Sequence, residues 1–291
     1  MLLECQMRNQ SFSQKWSHAC LFIVSLAGVA VSQSLSSGQQ ASPNDLVRAT
    51  IANELRTQPA SESRWMYRVE RKEAGKTTER EVIQTDHGSI ERLVSVDGHP
   101  LSANQELEET TRIQSLIKNV SEQRRVEQTR KKETQQCEEL FKLIPGAFIF
   151  TYAGTERNLV KLNYQPNPAF QPPTREARVF HELTGEMWID TTQLRLVRLR
   201  GQLRADVKFA GGLLGYLQKG GHFDVEQQEL SPGRWELTSL DVEMQGKALL
   251  FKTIAIQQKE RRTNFRTVPA SLSLADAAEM LTKQVILAAN H

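Results

Sequence analysis

From Val197 to Phe209 the chain alternates without a break: Val197, Leu199, Gly201, Leu203, Ala205, Val207 and Phe209 interleave with Arg198, Arg200, Gln202, Arg204, Asp206 and Lys208. Successive side chains of a strand point to opposite faces, so this run requires a sheet with one buried side and one wet side. The polar side carries Arg198, Arg200, Arg204 and Lys208. Like charges on one strand face repel unless they are solvated, paired with acids on neighbouring strands or met by an anionic ligand. A solvated exterior is the expected arrangement. Arg198, Arg200 and Arg204 are then candidate contacts for an anionic surface, whose attraction salt would screen.

The same period recurs along the chain. Trp65, Tyr67 and Val69 alternate with Arg64, Arg68 and Glu70, and Gly75, Gly88 and Gly98 set off the runs Thr78–Gln84 and Ser89–Val96, giving a three-stranded meander. Strands are also expected at Ala147–Tyr152, Leu159–Tyr164, Gly185–Asp190, His222–Leu230, Arg234–Gln245 and Lys247–Gln257, with turns at Ser231-Pro-Gly233 and Gln245-Gly-Lys247. Ala210–Leu217, apolar and glycine-rich, reads as a hairpin tip. The apolar parity slips between Leu237 and Leu240, which predicts a bulge.

Helices interrupt this series in three places. Ser42-Pro-Asn-Asp45 combines an N-cap serine, proline at the first helical position and an acid in the first turn. From about residue 103 to 144, helical spacing appears at Ile113, Leu116, Ile117 and Val120 and again at Cys137, Leu140, Phe141 and Ile144, with a charged stretch between; Pro145-Gly146 is expected to end it. That stretch either crosses solvent or folds back as a hairpin. Ser273 starts a closing helix over about 273–289. No strand–helix alternation of the parallel-sheet kind occurs. The expected class is α+β: one domain over 43–291, built as a single large curved antiparallel sheet, an incomplete barrel, wrapped around helices.

The amino terminus reads as an export signal. Arg8 and Lys15 precede the apolar run Leu21–Val31, and the small residues Ala30 and Ser32 lie at its end, which assigns residues 1–32 to a signal peptide and 33–42 to a flexible tether. The run is short for a bilayer span, although retention as an anchor is the alternative. Cleavage removes Cys5 and Cys20 and leaves Cys137 without a disulfide partner. The expected location is the periplasm or the extracellular space. With 37 Lys and Arg against 34 Asp and Glu, the chain makes no electrostatic case for nucleic acid.

The order of elements, together with Gly185-Glu-Met-Trp-Ile-Asp190 leading into a basic strand, resembles the outer-membrane lipoprotein-sorting carrier superfamily (LolA/LolB-like). The segments Pro166-Asn-Pro-Ala-Phe170, Gly185–Asp190 and Lys219-Gly-Gly-His-Phe223 look like uncharacterised secreted bacterial proteins. The resemblance implies an incomplete barrel with an apolar cavity for acyl chains, and it carries over no catalytic residue. The partners it implies are a lipid or lipoprotein acyl chain and peripheral membrane contact.

An enzyme is not the expected reading. The sequence has no Gly-x-Ser-x-Gly elbow, and Gly185 stands where a zinc helix starting at His181-Glu182 needs its second histidine. His87, His99, His181 and His222 lack metal-ligand spacing, so neither metal nor cofactor is expected. A carrier of amphiphiles would line its cavity with Trp65, Tyr67, Phe148, Phe150, Trp188 and Trp235. A structural or interaction module of the envelope would pack the same residues without a cavity.

Overall fold

The computed structural model describes residues 42–56, 63–85, 88–209, 211, 215–248 and 252–289. The signal peptide and all of the tether except Ser42 lie outside the described residues, as do His87 and most of the 210–214 tip. Among the described residues no helix is long and apolar enough to cross a membrane.

The Ser42 hydroxyl accepts from the Asp45 amide at 3.2 Å and starts α1 (Pro43–Arg56) as expected. A meander comes after it: β1 (Ser63–Glu73), β2 (Lys76–Thr85), β3 (Gly88–Val96) and the short β4 (His99–Pro100). Two helices come next, α2 (Ala103–Lys118) and α3 (Val120–Ala147). The remaining strands are β5 (Phe148–Glu156), β6 (Leu159–Pro166), β7 (Leu183–Asp190), β8 (Arg195–Leu203), β9 (Val207–Phe209), β10 (Gly215–Leu217), β11 (His222–Ser231), β12 (Arg234–Ala248) and β13 (Lys252–Pro269). A 3₁₀ turn at Glu176–His181 precedes β7, and α4 (Leu274–Ala289) closes the chain. All thirteen strands form one antiparallel sheet in the order β4-β3-β2-β1-β13-β12-β11-β8-β7-β6-β5, with β10 beside β12 and β9 beside β10. Its ends, β4 and β5, are not paired with each other, so the barrel stays open.

The helices divide between the two faces. Directly opposed residues of an antiparallel ladder share a face. The series Phe150, Tyr164, Gly185, Gly201, Phe223, Val242, Gln258 and Glu73 therefore traces one inner face from β5 to β1. On it, Val47 and Ile51 of α1 and Ile144 and Ala147 of α3 pack with Phe148, Phe150, Leu162, Met187 and Leu203 into the main core. Met66, Ile83, Ile90 and Val268 point to the opposite face, where Ile113 of α2 and Ala277, Ala278 and Leu281 of α4 cover them.

Several local expectations are corrected. The 197–209 run is not one strand: a bend at Arg204–Asp206 separates β8 from β9. A bulge between β7 and β8 sets Leu196 rather than Val197 opposite Ile189. The turn expected at Gln245-Gly-Lys247 is instead the interior of β12. A Cβ at Gly246 would stand 2.1 Å from the Tyr216 carbonyl oxygen, so only glycine lets β10 pair there. The 103–144 segment breaks at Asn119, whose side chain accepts from Glu122 N at 3.0 Å and caps α3, leaving Val120 54% exposed rather than in an apolar stripe. Pro145 and Gly146 lie inside the last turn of α3. The carbonyls of Pro145, Gly146 and Ala147 accept from Asn44 Nδ2, Asn167 Nδ2 and Asn167 N, so side chains and a loop amide complete the helix end. The bulge expected between Leu237 and Leu240 is present, because β11 skips Thr238.

Candidate ligand-binding face

The aromatic residues singled out by the alternation fall into separate places. Phe148 and Phe150 meet Tyr164 and Phe180 in the main core, with ring centroids 4.9 Å (Phe148–Tyr164) and 5.2 Å (Phe148–Phe180) apart. Trp65 and Tyr67 belong to the same inner face but to a second group with Val69, Val82 and Phe265. A bulge forms that group: Tyr67 lies across from both Asn264 and Phe265, Asn264 takes φ +57°, and Phe265 stacks on Tyr67 at 5.1 Å. Trp188 alternates with the buried Met187 and Ile189, so it points away from the inner face, and its ring lies 5.0 Å from Lys161 Nζ and 5.3 Å from Arg198. Trp235 packs against Arg195 and donates to Gln193 Oε1 at 3.0 Å. The six do not line one site.

Arg198 and Arg200 of β8 and Arg204 in the bend after it stand on the wet side, and nearby acids meet them. Arg198 pairs with Asp224 at 2.6 Å and Glu226 at 2.9 Å, Arg200 with Asp224 at 3.1 Å and Glu186 at 3.7 Å, and Arg204 with Glu182 at 3.2 Å. Lys161 adds a bond to Glu186 at 2.5 Å. Arg198, Arg200 and Lys161 thus face Glu186, Asp224 and Glu226, and the patch presents little net field to an anion.

Sequence reading missed a row of charged side chains on the inner face. Arg71 continues the parity of Trp65, Tyr67 and Val69, and Glu260 and Arg262 continue that of Ile256 and Gln258. A charge at the apolar parity of a strand was the available signal. Arg71 Nε donates to Glu260 at 3.2 Å, Arg262 Nε donates to the other oxygen of Glu260 at 2.7 Å, and Arg71 and Arg80 reach Glu91 at 4.0 and 3.6 Å. All are buried or nearly so. Burial opposes the charge on Glu260, but Arg262 and Arg71 outweigh it and hold the carboxyl below its ordinary range. Burial pushes Glu236 up, against the pull of Arg262, and lowers the Arg80 guanidinium, against that of Glu91. Gln258, 3% exposed, has no hydrogen-bond partner for Nε2, nor has Arg80 for Nε. The inner face is therefore two-part: apolar under α1 and α3, and ionic with donors to spare across β13, β1 and β2.

No protein-family model matches the chain, and no curated protein matches it. Among solved structures, the crystal structure of a DUF1329 family protein from Desulfovibrio piger is similar at 12% identity with a TM-score of 0.24, over 80% of this chain and 95% of that one.

Proposed function

We propose that this is an exported, non-catalytic envelope protein that binds a lipid or another amphiphile between the inner sheet face and the helices, in the manner of a carrier. The observation that supports the reading is the two-part inner face, where a continuous apolar surface ends in a buried polar cluster. An amphiphile needs both surfaces side by side. The second reading, a structural envelope module, draws support from the close packing of the main core, in which Leu162 and Ile189 are fully buried by protein alone.

Native mass spectrometry of the full chain, expressed in a bacterial envelope and purified without detergent, tests the proposal. A copurifying mass that disappears on organic extraction supports the carrier. A clean protein mass, with no uptake of a fluorescent fatty alcohol after purification, favours the module. Amino-terminal sequencing of the same material checks export: a start near Gln33 or Leu35 supports it, and an intact Met1 on envelope-associated protein counts against cleavage.

A further inference from the structure

We infer that the cluster of Arg71, Arg80, Glu91, Gln258, Glu260 and Arg262 receives the headgroup of the bound amphiphile, and that this headgroup is uncharged and rich in acceptor oxygens, as in a glycerol ester. The inference rests on the carrier reading and names its ligand class.

Geometry places the polar end. Gln258, Glu260 and Arg262 are successive inner-face residues of β13, and Glu73, Arg71 and Val69 stand across from them on β1. Arg80 is across from Val69 on β2. Gln258 also stands across from Val242, a member of the main core, so the cluster begins where the apolar surface stops.

Unmet hydrogen-bonding capacity sets the chemistry. Arg80 Nη1 and Glu91 Oε1, 3.6 Å apart, offset each other as an ion pair without a full hydrogen bond. Gln258 Nε2 and Arg80 Nε are left as donors without acceptors. A buried donor without a partner is strongly unfavourable, so the surplus calls for oxygens from outside the chain. Charge sets the rest. Arg71, Arg80 and Arg262 are met by Glu91, Glu260 and the adjacent Glu236, with Arg234 also beside Glu236 and the Glu109–Arg112 pair beside Arg80, and a phosphate or carboxylate would bring a further charge among groups already engaged with one another. Ester and hydroxyl oxygens accept without adding one.

The test compares 1-monooleoylglycerol, oleyl alcohol and oleoyl lysophosphatidate by competition against a fluorescent fatty alcohol on the full chain. The expected order has monooleoylglycerol tighter than oleyl alcohol by about tenfold, the worth of one or two completed hydrogen bonds, with lysophosphatidate weaker than monooleoylglycerol. Gln258→Met, close in volume, should keep its affinity for oleyl alcohol and lose most of the preference. On the unmodified protein, the Gln258 side-chain amide NMR signal should shift with monooleoylglycerol and not with oleyl alcohol, a readout independent of how the variant folds. Equal binding of the three probes, a tighter lysophosphatidate, or a preference unchanged in Gln258→Met overturns this inference while leaving a carrier. No uptake of any probe removes the carrier reading and this inference with it.

Discussion

The hydroxyl of Tyr164 on β6 donates to the carbonyl of Arg200 on β8 at 2.7 Å, passing over β7 at Gly185. A Cβ at Gly185 would lie 1.9 Å from that carbonyl oxygen and 2.7 Å from the hydroxyl, so the crossing exists because position 185 has no side chain. Burial pushes the phenol well above its ordinary range and keeps it a donor at every physiological pH. Tyr164→Phe should cost about 1 kcal/mol, the net worth of one hydrogen bond. Gly185→Ala drives a methyl group into backbone and should cost more than about 3 kcal/mol. Urea denaturation of both variants checks the order; similar small losses would show that the strands part without difficulty.

Glu260 gives the acid limb of stability a defined origin. Its folded pKa lies below the ordinary 4.5, so the stability it contributes is complete above that value and lost as pH falls through the folded pKa. Glu260→Gln leaves Arg71 and Arg262 buried without their shared carboxylate and should cost about 3 kcal/mol at pH 7. The difference from the unmodified protein should narrow as pH falls below the ordinary 4.5 through the lowered folded pKa, where Glu260 itself takes up a proton. Thermal melting from pH 7 to 3 reads both, and a constant difference would remove Glu260 from the account.

Glu236 has the opposite sign. Its folded pKa is raised, chiefly by burial, so ionisation costs stability as pH rises from 4.5 through the folded value. Glu236→Gln should therefore melt relatively higher at pH 8 than at pH 4 when each is referred to the unmodified protein. The reverse trend would mean that its neighbours stabilise the carboxylate more than burial opposes it.

Asn44 joins α1 to the edge of the sheet. Its Nδ2 donates to the carbonyls of Pro145 and Phe148, both at 3.2 Å, and its Oδ1 accepts from Phe150 N at 3.4 Å. One side-chain amide thus ends a helix and occupies backbone groups of the edge strand β5. Asn44→Ala should accelerate hydrogen exchange at the Phe150 amide and lower stability by about 1–2 kcal/mol. Unchanged exchange there would show that other contacts protect the edge.

The two ends of α2 should respond unequally. Ile113 is 2% exposed beneath the sheet and Leu107 is 68% exposed. Ile113→Ala should cost about 2–4 kcal/mol, and Leu107→Ala less than about 0.5 kcal/mol. Equal melting shifts would mean that α2 does not rest on β2 and β3.

Local pattern carried the class of this protein. Period-two alternation depends only on neighbouring residues, so β1, β6 and β7, the capping serines at 42 and 273 and the bulge near Thr238 were legible in the order of residues alone. The same reasoning put Phe148 and Phe150 on an inward face, as cavity lining or as core, and turned Arg198 and Arg200 outward. Pairing partners are not local. That Gly246 belongs inside β12, that Trp188 stacks on cations outside, and that Asn44 completes both a helix and an edge strand depend on segments distant in the chain. Strand order alone decided that Arg71, Glu260 and Arg262 share one buried face, because a charge at an apolar parity is tolerable only where a distant strand supplies its counter-charge.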